Sequence, residues 1–183
     1  MTRTIKVAVA LIALGAGYSA FPQGVPFWPS FQAIAGPRAV DRAAQIRAES
    51  GFNPNAANAI GAKGLGQAMP ATWADYIRRG WVPAGSSPFD PLPALQGQHA
   101  YMCFLEGRCS GDFTAALASY NAGLGSVRKA QALASALGMP DTRAWLRALP
   151  RVTGPHAAET QAYVQRIETI HLPWVRSHAS GSR

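Results

Sequence analysis

IRAESGFNPNAANAIGAKGLGQAMPATW, residues 46–73, opens on the last turns of an amphipathic helix and closes on the first turn of another. Between them stand Gly51, Gly61, Gly64 and Gly66, with Pro54, Asn53, Asn55 and Asn58. That is more backbone punctuation than a plain helix connection needs. A short β-hairpin or an irregular loop is expected over residues 52–69. One carboxyl group stands in the stretch, Glu49, where a helix gives way to glycine. A lone acid beside a long glycine-shaped wall fits a groove for an extended polar substrate, with Glu49 as a catalytic acid acting on a glycan. From spacing alone, a surface glutamate that merely ends a helix is the commoner outcome.

Outward from this stretch the helix ends are legible. Pro37 can occupy the first turn of a helix running to about Ser50, with Val40, Ala43, Ile46 and Ser50 at helical spacing and Gly51 as the stop. Glu49 lies three residues after Ile46, near the buried face. Pro70 starts the next helix. Residues 82–93 carry Pro83, Gly85, Pro88, Pro91 and Pro93 and must be a loop. A helix follows to about Leu105, weakened by Gly97. Asp112 can cap a helix with Phe113, Ala116, Leu117 and Tyr120 on one face, ended by Gly123. Ser126 can cap another. A short helix surrounds Trp145 and Leu149, and the last runs over residues 156–171. The fold class is α+β, mostly α.

The chain has 183 residues, 48% apolar and 14% charged, which suffices for one domain with an appendage. Its net charge of +8 favours polyanionic surroundings. No basic cluster interleaves with aromatics, so nucleic acid is not an expected partner. Residues 1–19 combine Arg3 and Lys6 with an apolar run over residues 7–17, and Gly17 and Ser19 are spaced like a cleavage site. An export signal is expected there, with an uncleaved membrane anchor as the alternative, since no charge stands between Lys6 and Arg38. Residues 20–37 read as a linker or an N-terminal arm packing on the domain, and residues 177–183 as a disordered tail. Cys103 and Cys109 are the disulfide candidates, or else two free thiols. His99, His156, His171 and His178 share no ligand spacing, and neither a metal nor another cofactor is expected.

Residues 49–73 resemble the signature of the soluble-lytic-transglycosylase-like (SLT domain) family, relatives of goose-type lysozyme that cleave peptidoglycan. ALASYNAGLG, residues 116–125, resembles that family's AxAxYNAGxG segment, and ETQAYV, residues 159–164, its ETxxYV segment. The resemblance implies a lysozyme-like single domain over residues 38–176, with a small β element beside the active-site cleft. It implies that Glu49 is the acid that afterwards acts as base, and that Ser50 hydrogen-bonds near it. Gln67 and Met69 would line the glycan groove, with Tyr120, Asn121 and Tyr163 closing on the acid. Gly66 departs from the family's large apolar residue before Gln67, which bears on substrate fit.

The implied partner is the peptidoglycan glycan strand, in the periplasm or cell envelope. Small size also fits a component of a secretion or conjugation complex, or of a phage particle. Two other functions stay open at this point. A hydrolytic lysozyme on the same scaffold would need a second carboxylate, for which Asp75 and Glu168 are candidates. A non-catalytic wall-binding component would have no use for Glu49.

Overall fold

Proline and glycine set most of the helix ends. The structure, a computed structural model, describes residues 24–139 and 141–179, so the expected signal or anchor lies outside the described residues. Helix α1 (Trp28–Ala35) carries Pro29 in its first turn and stops at Gly36. A 3₁₀ turn over Gly36–Arg38, containing Pro37, leads into α2 (Ala39–Ser50). Gly51 ends α2 in the left-handed region at φ 61°, and its N–H bonds the Arg47 carbonyl at 3.0 Å. A residue with a Cβ would be strained there. α3 (Pro70–Arg78) starts at its proline, and α4 (Pro91–Arg108) begins within the expected loop, with Pro91 and Pro93 in its first turn. Asp112 caps α5 (Phe113–Ala122), accepting from the Ala115 N–H at 3.0 Å.

α6 (Leu124–Ala136) begins earlier than Ser126, because Gly123 at φ 85° makes the reversal itself and accepts from the Ser126 N–H. α7 (Ala144–Ala148), α8 (Pro150–Thr153) and α9 (His156–Arg166) follow. The last helical run does not stop at His171. It passes through a π-helical turn, Ile167–His171, into α10 (Leu172–Ala179). Pro173 has no N–H to offer the carbonyl one turn back, so the ladder shifts register before it continues. The described part of the expected tail, residues 177–179, is therefore helical.

The small β element is corrected as well. Residues 51–69 hold only the isolated bridges Ala57↔Lys63 and Lys63↔Ala68, with no strand among the described residues. Asparagine side chains take the backbone donors that a ladder would need. Asn58 Oδ1 accepts from the N–H groups of Ile60 and Ala62 at 3.1 and 3.0 Å, and Asn53 Oδ1 from that of Asn55 at 2.9 Å.

Backbone contacts divide the described chain into two compact units, residues 24–101 with 166–179, and residues 102–165. In the first, Phe31 of α1, 1% exposed, meets Phe52 edge to face at 6.3 Å, and Phe52 meets Trp174 at 6.1 Å. Ala43, Ala44 and Ile46 of α2 are fully buried. A second cluster gathers Ala68, Trp73, Tyr76 and Val82, with Ile77, Trp81 and Tyr101 against it. Gly97 belongs to this cluster, because a Cβ there would fall 2.5 Å from Tyr76 Cδ2 and 3.0 Å from Val82 Cγ1. In the second unit α5 is buried along residues 114–121. Its alanines let α6 pack closely against it. Burying Leu117 alone is worth roughly 1.5–3 kcal/mol.

Candidate active site

Glu49 occupies the last turn of α2 and is 1% exposed. Removing a carboxyl group from water penalises its charged form, and the carbonyl end of a helix adds to that penalty. Ser50 is also buried, but its hydroxyl donates back to the Ile46 carbonyl at 3.3 Å, within the same helix.

The loop after α2 is braced from inside by Gln67, which is buried and holds a left-handed backbone at φ 46°. Its Nε2 donates to the carbonyls of Gly64 at 2.9 Å and Ala56 at 3.3 Å, and its Oε1 accepts from Asn58 Nδ2 at 3.4 Å. Gly64 has φ 72°, and a Cβ on it would lie 1.7 Å from the Pro88 carbonyl oxygen. The loop over residues 83–90 thus rests directly on the Gly64 backbone. Met69 is half-buried and caps α3 with extended backbone.

In the second unit Tyr120, Asn121 and Tyr163 are all buried, Tyr163 completely. Asn121 Oδ1 accepts from the Thr160 hydroxyl at 2.6 Å, which ties α5 to α9. The Asn121 Nδ2 donor is buried with no hydrogen-bond partner, as is Glu159 Oε1 beside Thr160. Thr160 was not among the residues expected to matter. Its place in the ETxxYV-like block was the available signal.

The cysteines do not pair. Cys103 is exposed on α4 and Cys109 is buried, with its Sγ 3.7 Å from Ser119 Oγ. The Cys109 N–H bonds the Leu105 carbonyl at 2.9 Å, so helical geometry reaches Cys109. Six residues of helix advance about 9 Å, beyond the span of about 7 Å that a disulfide bridges. Burial pushes the Cys109 thiol up, and the contact with Ser119 opposes that shift.

The candidate second carboxylates differ in setting. Asp75 is engaged by Arg78 and by Arg79 Nε, the latter at 2.7 Å, on α3. Glu168 is half-buried in the π-helical turn. Sequence reading also missed a buried polar set on α2 and α4. Arg42 and Gln45 are fully buried and Gln98 is 1% exposed. Arg42 Nε donates to His99 Nδ1 at 3.3 Å, and Gln98 Nε2 donates to Gln45 Oε1. At the other end of the unit Arg47 lies 4.2 Å over the Trp174 ring and donates to His171 Nδ1. Burial, then the cations Arg47 and Arg166, push His171 down to about 4.

Comparison with known proteins follows this geometry. The family model "Transglycosylase SLT domain" matches residues 42–139. The soluble lytic murein transglycosylase of Escherichia coli K12 is 30% identical over 124 residues, 66% of this chain, as is that of Escherichia coli O157:H7. The chain spans 18% of the length of these curated relatives. The crystal structure of the 70 kDa soluble lytic transglycosylase from Escherichia coli matches with a TM-score of 0.68 and 26% identity, covering 81% of this chain and 24% of that one. A complex of the 70 kDa soluble lytic transglycosylase with bulgecin A matches with a TM-score of 0.70 and 26% identity, over 84% and 24%. An inactive glutamate-to-glutamine mutant of lytic transglycosylase Slt from Pseudomonas aeruginosa matches with a TM-score of 0.67 and 24% identity, over 87% and 25%. The mostly helical fold is the lysozyme-like one.

Proposed function

Because the chain belongs to the transglycosylase SLT domain family, we propose that it is a peptidoglycan lytic transglycosylase with Glu49 as its single catalytic carboxyl group. The observation that supports this is the burial of Glu49, 1% exposed, at the end of α2 and inside the span that the family model matches. A buried carboxyl group keeps its proton, and a glycosidic bond needs a proton delivered to its leaving oxygen.

The bond cleaved is the β-1,4 bond from N-acetylmuramic acid to N-acetylglucosamine. Glu49 protonates the leaving oxygen while positive charge grows at the anomeric carbon. The muramic acid C6 hydroxyl then attacks that carbon, and the Glu49 carboxylate takes its proton. The product is a 1,6-anhydromuramic acid end. An intramolecular hydroxyl has a high effective concentration, so no second carboxylate is required to activate water.

Met69, Tyr120, Asn121 and Tyr163 are assigned to glycan binding on their motif positions. Gln67 and Ser50 serve by holding the loop and the helix end, since their hydrogen bonds are spent there. The relatives are named for murein, which supports peptidoglycan as the substrate and the cell envelope as the location, with residues 1–19 directing export.

The runner-up is a hydrolytic lysozyme, with a muramidase action on the same bond. Asp75 is a weak candidate for its water-activating base, because two arginines already engage it. Mass spectrometry of digested peptidoglycan separates the two reactions. Anhydro ends are lighter than reducing ends by one water, and a digest made of reducing ends would establish the hydrolase.

A further inference from the structure

Two buried glutamines have no part in the reaction as described so far. Gln45 on α2 is fully buried and Gln98 on α4 is 1% exposed. Gln98 Nε2 donates to Gln45 Oε1, while Gln98 Oε1 is buried with no hydrogen-bond partner. Burying amides in a core is unfavourable unless their hydrogen bonds are recovered, and two leucines would carry no such cost. A specific use for the pair would offset that cost.

The helix supplies one. Side chains of an α-helix slant back toward its N-terminus and lie over the preceding turn. The residue one turn before Glu49 is Gln45, and positions i and i+4 bring Cβ atoms to about 5–6 Å. Because Gln98 occupies the Gln45 oxygen, the Gln45 amide is fixed with Nε2 as the end left for its other neighbours. A carboxyl group on the next turn therefore meets the N–H end of this amide rather than its carbonyl.

We propose that Gln45, pinned by Gln98, is a positioning residue whose Nε2 donates to the Glu49 carboxyl group and holds it in one orientation through its cycle of losing and regaining a proton. The proposal rests on Glu49 being the catalytic acid. A neutral amide suits that cycle. A cation in its place would hold Glu49 ionised and unable to donate, and an apolar side chain would not orient it. The cation on the same face, Arg42, is seven residues back, about 10 Å along the axis, and is engaged with His99. Arg47 is engaged with His171 and Trp174.

Gln45→Met and Gln98→Met nearly keep side-chain volume and remove the amide chemistry. The measurement is kcat/KM against pH on purified peptidoglycan, with thermal unfolding of each variant and Glu49→Gln alongside. A donated hydrogen bond favours the carboxylate, so its loss lets the acid keep its proton to higher pH. Both methionine variants are expected to fall on the order of tenfold at the plateau. The alkaline limb of Gln45→Met should move up by about one pH unit, the shift that one hydrogen bond to a charged group corresponds to, and that of Gln98→Met, which keeps the donor but loosens it, should move the same way by less. A purely structural pair would lower the unfolding temperature and leave the limb in place, and that result overturns the proposal. If Gln45→Met does not fold, Gln98→Met decides, since it keeps Gln45 and only unpins it. An inactive Glu49→Gln with unmoved limbs in the methionine variants sinks this inference alone, whereas an active Glu49→Gln sinks the proposed function with it.

Discussion

Gln67 donates its side-chain amide to the carbonyl of Gly64 at 2.9 Å, three residues back along the loop that follows Glu49. A second donation to Ala56 at 3.3 Å uses the remaining N–H. The side chain expected to line a glycan groove thus braces the loop from within. Gln67→Leu leaves two buried carbonyl groups without these donors, each costing about 1–3 kcal/mol. Urea denaturation should show a loss of roughly 2–4 kcal/mol, with activity falling through loss of loop structure. An unchanged denaturation midpoint would mean that the loop does not depend on this brace.

Gly97 and Tyr76 make a second close fit. Alanine is ordinarily better than glycine inside a helix by about 1 kcal/mol. Here its Cβ would stand 2.5 Å from Tyr76 Cδ2, within a ring cluster that includes Trp73, Trp81 and Tyr101. Overpacking typically costs about 1–3 kcal/mol, so Gly97→Ala should destabilise despite the gain in propensity. Gly107, on the same helix with open space around its Cβ position, is the control. Gly107→Ala should stabilise, and equal effects of the two substitutions would contradict the packing account.

The helix ends were legible because they are local. Pro37, Gly51, Pro70, Asp112 and Gly123 each act through their own backbone or a hydrogen bond a few residues away. The phase of Glu49 with Ile46 put it near the buried face of α2, but spacing alone favoured a surface glutamate, and the structure buries it. What stayed hidden depends on partners distant in sequence. Gln45 meets Gln98 across 53 positions and Asn121 meets Thr160 across 39, and no helical period announces either contact. The spacing of Val40, Ala43 and Ile46 told which face of α2 is apolar, but not that Arg42 and Gln45 are enclosed as well. Composition left residues 52–69 open between a short hairpin and an irregular loop, and the same asparagines that signal a turn take backbone donors there.

His171 gives a pH dependence whose sign follows from its environment. Its folded-state value of about 4 lies below the ordinary 6.5, so the unfolded chain binds the proton more readily. The stability it allows is complete above pH 6.5 and is lost as pH falls from 6.5 toward 4. The loss is at most about 3 kcal/mol, reduced by solvent screening at a half-buried ring. His171→Gln keeps an acceptor for Arg47 and cannot titrate. Urea midpoints at pH 7, 5.5 and 4.5 should fall less steeply for the variant than for the wild type. Parallel profiles would remove His171 from the acid response.

Glu49→Gln tests the chemistry with little change of shape. The side chain is buried and the substitution replaces one oxygen by an NH₂ group, so cooperative unfolding should persist. Turnover of peptidoglycan should fall by about 10²–10⁴-fold, the usual contribution of a general acid. The wild-type rate should decline on an alkaline limb as the buried acid loses its proton, since burial favours the neutral form. Asp75→Asn breaks only partly exposed ion pairs with Arg78 and Arg79, worth about 1 kcal/mol or less, and should leave turnover nearly intact. Glu168→Gln should do the same. Inactivation by either carboxamide together with an active Glu49→Gln would transfer the acid role away from α2, because only the group that moves the proton is indispensable to both halves of the reaction.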